Sequence, residues 1–106
     1  MKVAVFGNLV REDFIPVLQG FFDYLRRRKV EVYLYKPFFD FLNGEMNYQP
    51  SCSGFYASHD DFTDGIQYIF SIGGDGTFLH SFRTIRNFGI PIVGINSGRM
   101  GFLADI

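Results

Sequence analysis

The sequence has 106 residues, of which 47% are hydrophobic, so it is long and apolar enough for one small domain with its own core. Its net charge of −1 excludes a general electrostatic attraction to nucleic acid or to an acidic membrane surface. The single cysteine excludes an intrachain disulfide, and no apolar run is long enough to span a membrane. With no leader pattern at the start, these features predict a cytoplasmic protein without nucleic-acid or membrane partners.

The first third of the chain has the pattern of a strand, a helix and a second strand. Residues 1–6 form a short apolar run that ends at Gly7-Asn8, which predicts a buried first strand and a turn. Asp13 is the expected N-cap of the helix. Gly20 interrupts the helix, and close packing against a sheet would explain a glycine there. Residues 30–35 predict a second strand, parallel to the first. The apolar residues that recur on one face of the helix are Phe14, Leu18, Phe21, Phe22 and Leu25.

The middle of the chain carries weaker signals. Pro37 is expected to open a short helical turn over residues 38–42, which the Asn43-Gly44 pair should end. Residues 43–64 resemble a loop, in which residues 55–57 have the composition of a short edge strand. His59-Asp60-Asp61 contains metal-ligand residue types, but adjacent side chains do not converge on one ion, so we predict a solvated loop and no metal site there.

A glycine-rich loop, Gly73-Gly74-Asp75-Gly76-Thr77, dominates the rest of the sequence. It lies between a predicted third strand, residues 66–72, and a predicted helix, residues 78–88. A strand, a glycine turn and a helix together present backbone N–H groups and a helix N-terminus to an anion, and this favours a phosphate site. Its alternative interpretation is a simple turn in which Asp or Thr caps the helix.

Asp75 makes the loop more specific, because a carboxylate beside a phosphate needs a cation or a hydroxyl as its partner. Either role indicates phosphoryl transfer, with Asp75 as the base or as a metal anchor. The loop has no lysine and is therefore not a Walker A loop, and it lacks the spacing of a dinucleotide fingerprint.

A second polar loop follows the predicted fourth strand, residues 90–95. Ligands bind outside the carboxyl ends of the strands in open α/β sheets, and the loops after strands one, three and four all begin at that edge. We therefore predict a Rossmann-like α/β fold of three layers, with a mostly parallel sheet of about four strands in the order 2-1-3-4. The crevice then lies between strands one and three, beside Asp75. At the same edge Asn96 is a candidate ligand-binding residue, Arg99 is a phosphate partner or a solvated side chain, and Phe102 is an apolar wall.

The two loops carry a family resemblance. Gly-Gly-Asp-Gly-Thr-Phe-Leu at 73–79, followed by Gly-Ile-Asn-Ser-Gly-Arg-Met-Gly-Phe-Leu at 94–103, resembles the amino-terminal domain of NAD kinases. The first motif alone is shared with lipid kinases of the diacylglycerol kinase type and, loosely, with phosphofructokinases. The second motif, placed after the next strand, is what favours the NAD kinases.

The resemblance implies roles for individual residues. Asp75 matches the family's catalytic aspartate, which takes the proton from the 2′-hydroxyl of the adenosine ribose of NAD. Gly74 and Gly76 match glycines that lie close to phosphates, and Phe102 matches an aromatic residue of the NAD pocket. The remaining candidates for nucleotide binding are Gly73, Thr77, Asn96 and Arg99. The family uses ATP, or polyphosphate in some members, with a divalent cation such as Mg²⁺, and is usually homo-oligomeric.

The same resemblance predicts that residues 1–106 are one domain of a longer kinase. NAD kinases continue into a β-rich domain that grips NAD, and this sequence does not include it. We therefore expect little kinase activity from the 106 residues alone. Two alternatives stay open from the sequence: a lipid kinase domain, whose expected membrane-binding features are not visible, and a nucleotide-binding or regulatory module without catalysis.

Overall fold

A single sheet of six strands runs through the part of the chain that the computed structural model describes, namely residues 1–7, 9–57, 65–73, 90–96 and 103–104. The strands are β1 (Lys2–Gly7), β2 (Glu31–Tyr35), β3 (Gly54–Tyr56), β4 (Ile66–Gly73), β5 (Ile92–Asn96) and β6 (Leu103–Ala104). Two α-helices are described, α1 (Ile15–Arg27) and α2 (Lys36–Glu45). Neither described helix has the length and apolar character needed to cross a bilayer.

The strand order is β3-β2-β1-β4-β5-β6. The first five strands in this order pair in parallel, whereas β6 is antiparallel to β5. The predicted α/β fold with a mostly parallel sheet is confirmed, since the predicted order 2-1-3-4 corresponds to β2-β1-β4-β5. One additional strand, β3, is the edge strand that residues 55–57 had suggested. The other, β6, has two residues and was not predicted, because so short a segment has no periodicity.

The start of α1 corrects the prediction that Asp13 caps it. A 3-10 turn, Glu12–Phe14, precedes α1, and the α-helical hydrogen bonding begins only at Ile15. The Asp13 carboxylate accepts a hydrogen bond from Arg11 at 3.3 Å and makes no capping bond. Pro16 lies in the first turn of α1, where its missing N–H costs no helical hydrogen bond.

The end of α2 also differs from the prediction. The helix continues through Asn43 and Gly44 to Glu45, although this pair was expected to stop it. Leu42 is fully buried, and its carbonyl accepts hydrogen bonds from the N–H groups of Met46 and Tyr48, which lie beyond the helix. Packing and hydrogen bonding of the last turn therefore outweigh the local turn preference of Asn-Gly.

The core has two parts, one on each face of the sheet. The larger part joins the inward side chains of both helices to those of the strands, and its members include Val3, Val5, Phe14, Leu18, Phe22, Leu34, Phe38, Leu42 and Ile72. The smaller part, on the other face, contains Ala4, Tyr56, Ile66, Ile69 and Ile92. The predicted apolar face is confirmed, because Phe14, Leu18, Phe22 and Leu25 are buried in the larger part and Phe21, which is partly buried, packs against it. Complete burial of each such side chain stabilises the folded state by roughly 1.5–3 kcal/mol.

Gly20 does not face the sheet, so close packing does not explain it. A Cβ at Gly20 would have no other atom within 4 Å. Gly20→Ala is therefore expected to raise the free energy of unfolding by about 0.5–1 kcal/mol, because glycine loses more backbone freedom in a helix than alanine. Urea denaturation measures this change. Gly65→Ala is the matched comparison: Gly65 has a φ of +95°, so the same substitution should destabilise the protein there. Equal effects at the two sites would contradict the prediction.

Candidate functional site

The carboxyl ends of three neighbouring strands meet at one edge of the sheet. In the register of the sheet Gly7 of β1 is opposite Ile72 of β4, and Gly73 of β4 is opposite Asn96 of β5. The segments that follow β1, β4 and β5 therefore start side by side. This is the arrangement that the sequence predicted for the loops after strands one, three and four, at the edge where open α/β sheets bind their ligands.

Gly73 is the point at which β4 changes into the glycine-rich loop. It is buried and its φ is 143°, in the region that side-chain-bearing residues rarely adopt. The backbone therefore turns here in a way that requires glycine. This conformation agrees with the interpretation of the loop as a segment whose backbone approaches a ligand closely.

Of the predicted site residues, the structure describes Gly73 and the backbone of Asn96, and it brings these two together as partners of neighbouring strands. Gly74, Asp75, Gly76, Thr77, Arg99 and Phe102 lie outside the described residues, and their roles stay predictions. The predicted helix 78–88 and the His59-Asp60-Asp61 segment also lie outside them. Within the described residues there is no group of three or more His, Cys, Asp or Glu side chains that could hold a metal ion.

The sequence predicted no ligand-binding role for the charged segment that follows β1, in which Asp13 was expected only to cap α1. Arg11, Glu12 and Asp13 line a shallow depression of about 480 Å³. The Arg11 side chain is 77% exposed and forms an ion pair of 3.3 Å with Asp13. A guanidinium in the segment after β1 has the charge and the donors to contact a phosphate. The signal available in the sequence was an arginine a few residues after the first strand, which by itself is too common to be assigned a function.

An aromatic row supports the same edge on the face of the smaller core. The ring centroids of Phe6 and Tyr35 are 4.5 Å apart, and those of Tyr35 and Tyr56 are 5.5 Å apart. The Tyr56 hydroxyl donates a hydrogen bond of 3.3 Å to the Val5 carbonyl. The row thereby joins the carboxyl-terminal parts of β1, β2 and β3 to one another. Burial raises the pKa of Tyr56 far above its usual value, and the neighbouring Tyr35 adds to this rise.

Tyr56 should make the protein less stable at high pH. The unfolded chain ionises Tyr56 near pH 10, whereas the folded chain keeps the proton, so the stability due to its burial is present below about pH 10 and is lost as the pH rises above that value. Tyr56→Phe should reduce the fall in unfolding free energy between about pH 8 and about pH 11, and should cost about 0.5–1.5 kcal/mol at neutral pH through the lost hydrogen bond. Urea titrations of both proteins at each pH test this, and equal falls would contradict it.

Comparison with known proteins bears directly on what this edge of the sheet does. Residues 4–106 match the family described as the ATP-NAD kinase N-terminal domain. The chain belongs to the NAD kinase family. It is 37% identical over 106 residues to an NAD kinase of Flavobacterium psychrophilum and 36% identical over 106 residues to one of Bacteroides fragilis. An NAD kinase of Cytophaga hutchinsonii is 38% identical over 106 residues.

These alignments cover nearly all of the chain but only part of each relative. The Flavobacterium and Bacteroides proteins are matched over 100% of the chain and 36% of their own length, and the Cytophaga protein over 98% and 35%. The chain thus spans about a third of the length of the curated relatives that it matches. The resemblance to the amino-terminal domain of NAD kinases is confirmed, and it extends over the whole α/β fold rather than over the two loop motifs alone.

Proposed function

We propose that the protein transfers a phosphoryl group from ATP to the 2′-hydroxyl of the adenosine ribose of NAD, giving NADP. The observation that carries this proposal is the family match over residues 4–106, which includes both loop motifs. The fold supports it, because β4 ends at Gly73 beside the ends of β1 and β5. Parallel sheets bind their ligands at that edge.

The chemistry assigned to this chain needs a base, a phosphate cradle and a surface for the nucleotide. Asp75 removes the proton from the ribose hydroxyl, which then attacks the terminal phosphorus of the donor as the bond to the leaving phosphate breaks. The backbone N–H groups of Gly74, Gly76 and Thr77 are assigned to phosphate binding, since a glycine-rich loop at a helix N-terminus is a typical anion site. At the neighbouring strand end Asn96, Arg99 and Phe102 contact the nucleotides through an amide, a guanidinium and an apolar ring.

The metal and the donor belong to the same proposal. Mg²⁺, when bound, would supply charge neutralisation at the donor phosphates. The described residues contain no cluster of carboxylates for it, so we assign no step to the metal. We take ATP as the donor and inorganic polyphosphate as its alternative. We also propose that the complete enzyme is a homo-oligomer, and that residues 1–106 alone have little activity.

The test is an assay of the protein encoded by the complete reading frame. Purified protein, NAD and Mg²⁺ are incubated with ATP or with polyphosphate, and NADP is measured. NADP formation supports the proposal and identifies the donor. If the protein phosphorylates diacylglycerol and does not phosphorylate NAD, it is a lipid kinase instead. If it binds nucleotides without converting them, it is a binding module. Robust NADP formation by residues 1–106 alone would overturn the predicted inactivity of this part.

A further inference from the structure

The last residue of β1 lies directly beneath an aromatic ring. A Cβ added at Gly7 would lie 2.5 Å from Cε2 of Phe38 and 2.6 Å from its Cδ2 and Cζ atoms. Carbon atoms that are not bonded to each other pack at about 3.5–4.0 Å, so the ring occupies the space that any side chain at Gly7 would need. Phe38 is 1% exposed and belongs to the larger part of the core. The ring and the strand end therefore fit against each other without a gap.

The contact with Phe38 is also the reason for a glycine at this position. Among the described residues the glycines with positive φ are Gly65 and Gly73, and Gly7 is not one of them. Alanine could therefore adopt the backbone conformation of Gly7 without strain. What excludes alanine is the Phe38 ring.

Phe38 is almost fully buried, so the packed side chains of the core restrict the movement of its ring. It lies in the first turn of α2, which follows β2 directly, with Tyr35 ending the strand and Lys36 beginning the helix. The Lys36 ammonium is 2.6 Å from the Asp40 carboxylate and 5.3 Å from the centres of the Phe39 and Phe55 rings. The contact with Phe55 joins the first turn of α2 to β3. Phe38 follows β2 and Gly7 ends β1. Since β2 pairs with β1, the two residues in contact are also connected through the sheet.

The contact lies next to the glycine-rich loop. Gly7 is opposite Ile72 in the sheet, and Gly73, where the backbone turns into the loop, is the next residue of β4. A displacement of the end of β1 would therefore shift Gly73, the residue at which the loop starts. We propose that Phe38 is a positioning residue for the phosphoryl transfer. Its ring packs against Gly7 and thereby fixes the position of the end of β4, so that the glycine-rich loop can reach both substrates. This inference rests on the proposed kinase function.

The first experiment compares two buried residues of the same helix in the complete protein. Phe38→Ala removes the ring, and should lower kcat for NADP formation about tenfold or more in folded protein, because small misplacements of reacting groups have effects of this size. Leu42→Ala is the matched control: Leu42 is also fully buried, but it is not among the atoms nearest a Cβ at Gly7. It should lower the melting temperature and leave kcat within about twofold. Equal kcat values for the two variants at a temperature where both are folded would overturn the inference.

A double substitution tests the contact itself. Gly7→Ala alone forces its methyl group against the ring and should lower kcat. In Gly7→Ala combined with Phe38→Ala the methyl group has room, so the double variant should be no slower than Phe38→Ala. Two residues that act through one contact have non-additive effects. If the two losses multiply, Phe38 and Gly7 act independently and the inference is wrong.

Two further measurements complete the test, one on a milder substitution of Phe38 and one on the unsubstituted complete protein. Phe38→Leu, which keeps most of the apolar volume, replaces Phe38→Ala if the latter does not fold, with the same expected direction. The unsubstituted complete protein separates the two proposals. If it forms no NADP, the kinase function fails and the positioning role fails with it. If it forms NADP while the Phe38 and Leu42 variants keep equal kcat, only the positioning role fails.

Discussion

Replacing Asp75 with asparagine in the complete protein is expected to lower kcat for NADP formation by about 10²–10⁴-fold, which is the range for the loss of a general base. Asparagine has nearly the same shape and keeps the hydrogen-bonding oxygen, but it does not take up a proton at neutral pH. The KM for NAD should change much less, because the substitution removes proton transfer rather than binding surface. Steady-state kinetics with saturating ATP measures both quantities.

The control for Asp75→Asn is the same chemical change at a carboxylate on the first helix, outside both loop motifs. Asp23 lies on α1, with its side chain 54% exposed and paired with Arg26, and Asp23→Asn should leave kcat unchanged. A near-normal kcat in Asp75→Asn would remove the base role. If Asp75 instead binds the cation, the variant will need a much higher Mg²⁺ concentration and will recover activity there. A base-deficient variant gains nothing from added Mg²⁺.

Leu34→Ala is expected to lower the free energy of unfolding by about 2–5 kcal/mol. Leu34 is in β2, is fully buried, and is opposite Val5 of β1 in the sheet register. Removing its side chain leaves a cavity between the sheet and the two helices that pack on this face, in addition to the lost burial of apolar surface. The midpoint of urea denaturation reports the change, and a loss near the upper limit would leave little of the stability typical of a small domain.

Leu9→Ala provides the matched control, since it makes the same chemical change at a leucine that is 70% exposed. We expect an effect within about 0.5 kcal/mol there. The difference between the two variants therefore measures burial alone. Equal destabilisation by both substitutions would mean that Leu34 is not part of a tightly packed core, in conflict with the structure.

The sequence predicted those parts of the fold that depend on local patterns. The four long strands are apolar runs bounded by turn residues, and the buried face of α1 follows its helical spacing, so both were predicted within a few residues. The errors lie at helix ends, at Gly20, which no close packing explains, and at the two-residue strand β6. Asp13 is of a residue type that often caps helices, but it forms an ion pair with Arg11. The Asn43-Gly44 pair is typical of turns, but it remains helical because Leu42 is buried in the core.

In the candidate site, too, some features follow from local patterns and others depend on packing. Parallel strands bring their carboxyl ends to one edge, so the proximity of Gly73 and Asn96 follows from strand order alone. No local pattern predicts that Phe38 lies against Gly7, because this contact depends on where a helix places one ring relative to a strand distant in sequence. Strand order therefore predicted that these strand ends meet, whereas the contact between Phe38 and Gly7 required the three-dimensional structure.

The place of β1 in the sheet has a consequence for how the chain is made. β1 precedes the other strands of the sheet in the chain, yet it is flanked by β2 on one side and by β4 on the other, and β4 is completed only at Gly73. While the chain emerges, β1 and β2 can already form a unit with α1, but the other edge of β1 stays unpaired until most of the domain has been translated. Non-local pairing of this kind is slow, and an open strand edge invites aggregation. We therefore expect the nascent chain to depend on protection by chaperones until β4 has joined the sheet.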